Sequence, residues 1–228
     1  MNAITKVLND NQIDYVSQRI PAYQTLGNIM IEFNNDETPK IVLSAHYDNA
    51  LGTPGANDNA AGCSILLNLI INLKNTKKHI EFVFFDLEEN HRIGSREYMR
   101  LNQGKISYAI NLDMCGMGEN ILLSQHHMKE DLSDVYTKHH AIIMKRLPPG
   151  DADTFINYKC PTFFVINSTN PDVEWFKQFA DSMPTRIVPD FSKTMHCPND
   201  TIDTINFVQV EKIYLFVSDL IQALSSLD

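Results

Sequence analysis

Two kinds of apolar run alternate along this chain. Short runs that are apolar at nearly every position occur at Asn28–Phe33, Lys40–Ala45, His79–Phe85, Ile106–Leu112, Ile121–Ser124 and Pro161–Ile166. Their length and richness in Val, Ile and Phe predict strands, several of them covered on both faces. Longer runs carry apolar residues at helical spacing and predict helices over 3–18, Asp58–Leu73, Gly94–Leu101, Lys129–Lys145 and Phe207–Leu227. AGCSILLNLIINL within the second of these is apolar nearly all round, hence buried. Pro148-Pro149 stops the fourth. The last carries Phe207, Val210, Ile213, Tyr214, Val217, Leu220, Ile221 and Leu224 on one side. NNDET supplies a turn between the first two strands. Strands alternating with helices imply a three-layer α/β sandwich, a mostly parallel mixed sheet flanked by helices, with an antiparallel edge from residues 28–45. No linker, repeat or sizeable insertion divides residues 1–228, so a single domain without a separate lid or dimerisation domain is expected.

In such a sheet ligands gather beyond the carboxyl ends of the strands. KIVLSA runs out into His46-Tyr47-Asp48, HIEFVFF into Asp86-Leu87-Glu88-Glu89, and ISYAINL into Asp113. The loop GTPGANDNAAG puts Asp58 at a helix start, and MHCPNDTID puts His196 before the last helix. Each piece has an ordinary reading. His46 and Asp48 suit a surface pair, Asp58 a helix cap, and two glutamates after a strand a solvated turn. Asp113 is harder to dismiss, because it sits in an otherwise apolar strand. Together, metal-ligand residue types converge on one rim from five segments. Clustered carboxylates repel and are costly to bury unless something positive meets them.

Composition narrows the field. The 228 residues are 43% hydrophobic and 21% charged, and the net charge of −9 with no basic cluster argues against nucleic acid. No apolar run approaches the ~20 residues of a membrane span. MNAITKVLNDNQ lacks the apolar core of a secretory signal. Cys63, Cys115, Cys160 and Cys197 are scattered without metal-type spacing, which fits a reducing cytoplasm. Nothing in the chain sets an oligomeric state.

SAHYDN, GANDNAAG, FDLEEN…GS, INLDMCG and MHCPNDTID, spanning residues 44 to 203, resemble in order the motifs of the co-catalytic di-zinc aminopeptidases, the bacterial leucyl aminopeptidase-like zinc exopeptidases. The resemblance implies a zinc exopeptidase fold and two Zn2+ per chain. His46 and Asp113 would bind one ion, Glu89 and His196 the other, and Asp58 both. Glu88 would be the general base for attack by a metal-activated water on peptide substrates. Asp48 would orient His46 by accepting its N–H, and Asp200 or another of the nearby acids would do the same for His196. A cis peptide would fall at Asp58–Asn59. GDADTF at 150–155 resembles loosely a family segment near the substrate pocket, and a plain turn serves as well. Met114, Phe155, Tyr158 and Phe191 would line an apolar pocket or belong to the core. His126-His127 and His139-His140 fit no ligand pattern and read as surface residues, and Asp86 has no assigned role. The alternatives are a glutaminyl cyclase-like transferase, a carboxypeptidase using Arg92 or Arg96 on a terminal carboxylate, and a non-catalytic homologue. A cyclase would be expected to surround a small pocket with tryptophans, and this chain has one, Trp175.

Overall fold

The computed structural model describes residues 3–21, 23, 27–35, 39–183 and 188–227. Among them eight strands form one sheet: β1 (Val16–Arg19), β2 (Gly27–Phe33), β3 (Lys40–His46), β4 (Ile80–Phe85), β5 (Ile106–Leu112), β6 (Asn120–His126), β7 (Ile142–Met144) and β8 (Thr162–Ser168), in the spatial order β1-β2-β4-β3-β5-β8-β6-β7. β4, β3, β5 and β8 run parallel at the centre. β2 is antiparallel to β4, and β6 antiparallel to β8.

Among the described residues seven α-helices cover both faces: α1 (Ala3–Asp10), α2 (Ala61–Leu73), α3 (Ile93–Asn102), α4 (Ser133–Lys138), α5 (Asp151–Asn157), α6 (Asn170–Ala180) and α7 (Phe207–Leu224). The central strands are apolar at successive positions because alternate side chains enter different cores. Ile41, Leu43, Phe82, Phe84, Ile110 and Val165 pack with Leu8, Leu66, Leu69, Phe216 and Leu220 of α1, α2 and α7. Val42, Val83, Phe85 and Ala109 point the other way, onto Tyr98 and Met99 of α3 and Phe155 of α5. Phe164 and Ile166 meet Val173 and Phe176 of α6 on that second side. No described helix is long and apolar enough to cross a membrane.

Several expectations need correction. The helix predicted over 3–18 ends at Asp10; Gln12 takes a left-handed conformation (φ 57°), and residues 16–19 form an edge strand instead. Residues 28–45 are not an antiparallel edge hairpin. β4 inserts between β2 and β3, and β3 is a central strand parallel to both neighbours. The NNDET turn falls largely on residues 36–38, outside the described residues. The helix predicted over 129–145 is only α4; the chain reverses at His140 (φ 52°), and Ile142–Met144 becomes an edge strand beside β6. Phe207 faces solvent at 63% exposure, while Phe216 takes the buried position on α7. α5 and α6 had no counterpart among the predicted elements. α6 starts with a reciprocal cap between Thr169 and Asp172 and a proline in its first turn.

The register sets up the rim. His46 lies beside Phe85, and Ser44 beside Asn111. The exits of β3, β4 and β5 therefore lie level, and His46, Glu88 and Asp113 emerge at the same edge.

Candidate metal centre

The loop before α2 is held from two sides. The Asp200 carboxylate accepts the backbone N–H groups of Asn57 (2.7 Å) and Asp58 (3.0 Å). Asn59 donates its side-chain amide to Leu112 O (2.8 Å), and Asn57 accepts Gly116 N–H (2.8 Å). The Asp58–Asn59 peptide is cis. These contacts fix the Asp58 carboxylate between the exits of β3 and β5. Asp200 thus anchors the loop backbone, not His196 as expected from sequence.

Asp58 divides its two oxygens between two groups. Oδ1 lies 3.0 Å from His46 Nε2, which is also 3.4 Å from Asp113 Oδ1. Oδ2 lies 3.5 Å from His196 Nε2, which is 3.0 Å from Glu89 Oε2. Within each trio, His46–Asp58–Asp113 and Asp58–Glu89–His196, one ligand atom per residue falls within 4.8 Å of the others.

His46 Nδ1 sits 3.0 Å from the backbone carbonyl of Asp48, an acceptor only, so this nitrogen carries the proton. A neutral ring would aim the Nε2 lone pair at two carboxylate oxygens, three acceptors with no hydrogen among them; without a cation a proton on Nε2 relieves this, and a divalent cation would take that proton's place. Buried Asp113 Oδ1 and Glu89 Oε1 also lack hydrogen-bond partners among the described residues. On these grounds the donor set fits a pair of cations.

The Asp48 carboxylate, whose Oδ1 lies 3.5 Å from His46 Nδ1, has further work besides. It accepts the N–H groups of both Glu88 (3.1 Å) and Glu89 (3.2 Å), while its carbonyl takes the imidazole N–H. Asp86, unassigned from sequence, is buried and accepts Gly27 N–H (2.9 Å), Tyr47 O–H (2.6 Å) and Leu87 N–H (2.9 Å). Leu87 (φ 57°), Met114 (φ 46°) and His196 (φ 56°) are left-handed. Conformations of this kind cost ~1–3 kcal/mol each and persist where surrounding contacts enforce them.

Without cations the electrostatics are strained. Burial first, then the Asp151 and Asp113 carboxylates, push Glu88 up to about 9. Burial and Asp58 raise Glu89, with His196 opposing. Burial likewise raises Asp113 despite His46. Burial alone would lower His46, but the Asp113, Asp48 and Asp58 carboxylates drive it well above the usual imidazole value. Asp151, which sequence reasoning did not select, is buried with neither oxygen hydrogen-bonded among the described residues. Burial and the Asp113 and Asp48 carboxylates push it up to about 7 against the pull of His46. Its only signal was its place in GDADTF.

The expected apolar lining is redistributed. Phe155 is fully buried against Phe85 and Tyr98, and Phe191 stacks on Phe176 in the α6 core. Tyr158 is exposed and Met114 is buried beside Asp113. Arg92 pairs with Asp153 (2.7 Å), and Arg96 is exposed on α3. His139 is not a free surface residue, since it contacts Asp219 (2.5 Å) and packs edge-on against Phe216. His126 is half-buried, and His127 contacts Ile156 O (3.1 Å). Among the described residues, no Lys or Arg pairs with Asp48, Asp58, Glu88, Glu89, Asp113 or Asp151.

The sequence profile of peptidase family M28 matches residues 28–221. Aminopeptidase YwaD of Bacillus subtilis is 37% identical over 91 residues, covering 36% of this chain and 20% of the relative. Among solved structures, the zinc aminopeptidase BSAP from Bacillus subtilis superposes with a TM-score of 0.67 at 21% identity, over 83% of this chain and 48% of that one. Tannerella forsythia glutaminyl cyclase superposes with a TM-score of 0.67 at 17% identity, over 95% and 86%. At these identities the structural likeness is one of fold. The chain spans a fifth of YwaD and about half of BSAP.

Proposed function

Because the chain belongs to peptidase family M28, we propose that it is a zinc-dependent aminopeptidase that removes N-terminal residues from peptides. One observation carries the reading: Asp58 presents its two carboxylate oxygens to two separate sets of ligand atoms. His46 and Asp113 would hold one zinc, Glu89 and His196 a second, with Asp58 shared between them. Three carboxylates and two neutral imidazoles would leave a pair of divalent ions with net positive charge. Bound there, the ions would polarise the scissile carbonyl and acidify the attacking water.

The chain's own groups supply the rest. Asp48 holds the Glu88–Glu89 backbone through both amides, so the glutamate that binds and the glutamate that moves protons keep a fixed spacing. Glu88 takes the proton of the water on its carboxylate and returns it to the departing amine. The excess of carboxylates over cations at the rim favours a substrate ammonium. A carboxypeptidase needs a free cation for a terminal carboxylate, and Arg92 is engaged by Asp153 and by Gly150 O. Trp175 is packed among Phe176, Phe179 and Phe191, which disfavours a tryptophan-lined cyclase pocket. The four cysteines are all unpaired, which supports a reducing compartment.

Glu88→Gln tests the assignment. The variant should keep its zinc yet lose ~10²–10⁴-fold in hydrolysis of aminoacyl anilides, while N-blocked anilides should resist the wild type. Full activity in the variant would remove Glu88 from its role, and cleavage of N-blocked substrates alone would overturn the aminopeptidase reading.

A further inference from the structure

The two histidines of the proposed ligand sets are held in opposite ways. His46 is buried, and its Nδ1 is fixed by the carbonyl of Asp48 (3.0 Å). The His196 side chain is 51% exposed, and among the described residues nothing bonds to its Nδ1. Only Nε2 meets partners, the Asp58 and Glu89 carboxylates. Its backbone is left-handed (φ 56°), a conformation that surrounding contacts must enforce in a residue other than glycine. The aim of this ring therefore depends on whatever fixes the backbone on either side of it.

Downstream that support is Asp200, which closes onto the amides of Asn57 and Asp58. Upstream it is Asp172 in the first turn of α6, a buried carboxylate with no Lys or Arg paired to it among the described residues. Such a group must be met by N–H donors instead, and Asp172 collects three. Oδ2 accepts Thr169 N–H (3.3 Å), which completes the helix cap. Capping has no use for Oδ1, which accepts the N–H groups of Asp190 (2.5 Å) and Phe191 (3.3 Å).

From those amides a series of one-turn bonds leads to the ligand. Thr194 and Met195 N–H bond Phe191 O (3.1 and 2.8 Å), and Cys197 N–H bonds Thr194 O (2.9 Å). The Phe191 ring stacks on Phe176, which keeps the start of this path on the body of α6. We propose that Asp172 is a positioning residue for the His196 half of the metal centre, holding the backbone from which that imidazole reaches its ion. The proposal rests on the two-ion reading above.

Zinc affinity, measured on the full chain by competition with a chelating dye, tests this in a double-mutant cycle over Asp172→Ala and His196→Ala. Val173→Ala removes packing from the same helix and is the control for lost stability alone. Asp172→Ala should weaken one zinc ~10–100-fold and leave the other unchanged. Added to His196→Ala it should cost nothing further, because the ligand it aims is already gone. Asp172→Asn keeps the shape of the side chain and one acceptor oxygen, so it should fold and fall between wild type and Asp172→Ala. Val173→Ala should keep both affinities. Wild-type affinities in both Asp172 variants would overturn the proposal. So would an equal further loss in the His196→Ala background, or the same loss in Val173→Ala, since either marks a general loosening of the fold. Zinc binding untouched by His196→Ala itself would instead overturn the two-ion reading, and the proposal with it.

Discussion

Chelating the metal should make the protein lose stability as pH rises from 6 to 8. Glu88 is pushed up to about 9 and Asp151 to about 7 in the metal-free site. At pH 6 an unfolded carboxyl has already lost its proton, whereas these two retain theirs in the fold. The folded state thus binds more protons, and each such group costs it about 1.4 kcal/mol per pH unit until its own folded value is passed. Glu88 keeps its proton across both units and Asp151 across about one, which sums to roughly 4 kcal/mol counted separately. Because the carboxylates share one repulsion, about 2–4 kcal/mol is the expected loss. His46 works in the same direction, since a raised imidazole stabilises below its unfolded value and loses that contribution as pH climbs through the folded one. Zinc reverses the trend, because the ligands bind it only when deprotonated. Urea midpoints of EDTA-treated and zinc-reconstituted protein at pH 6 and 8 measure the difference, with an expected fall of about 1 M or more for the chelated form. A chelated midpoint that holds steady or rises over this interval would refute the idea of uncompensated carboxylates packed at one rim.

Asp58→Ala should lower zinc content toward one or none per chain by elemental analysis; two ions retained would show that Asp58 does not bridge. Asp200→Ala removes the acceptor for the Asn57 and Asp58 amides and should weaken zinc binding ~10–100-fold in competition with a chelating dye; unaltered affinity would mean that the loop holds itself. Asp86→Ala strands Gly27 and Leu87 N–H and leaves Tyr47 O–H only Gly27 O as acceptor; it should destabilise by about 2–4 kcal/mol in denaturant, with specific activity of the folded fraction preserved.

The central strands were legible because burial on both faces leaves a continuous apolar run, as in IEFVFF and KIVLSA. Their neighbours were not, since pairing between distant segments has no local signal: nothing in residues 28–45 says that β4 will come between the two strands. Ile142–Met144 was absorbed into a helix because the turn at His140 depends on a left-handed residue that is not glycine. α6 was legible in principle, as STNPD carries a capping threonine, a proline and an aspartate at the right spacing. Within the site, His46, Asp58, Glu88, Glu89, Asp113 and His196 could be read from strand exits and motif order. Asp151 could not, because its importance comes from burial beside Glu88. The backbone-amide contacts of Asp48 and Asp200 were missed for a related reason: an amide looks alike at every position.

The grip of Asp48 on two successive amides fuses neighbouring strand exits into one mechanical piece. A one-residue slip of β3 against β4 would misdirect His46 and also unhook both glutamates, so a misaligned sheet would offer zinc no coherent site. The ion would then act as an inspector of strand alignment during folding, rewarding only molecules whose central sheet has zipped up correctly.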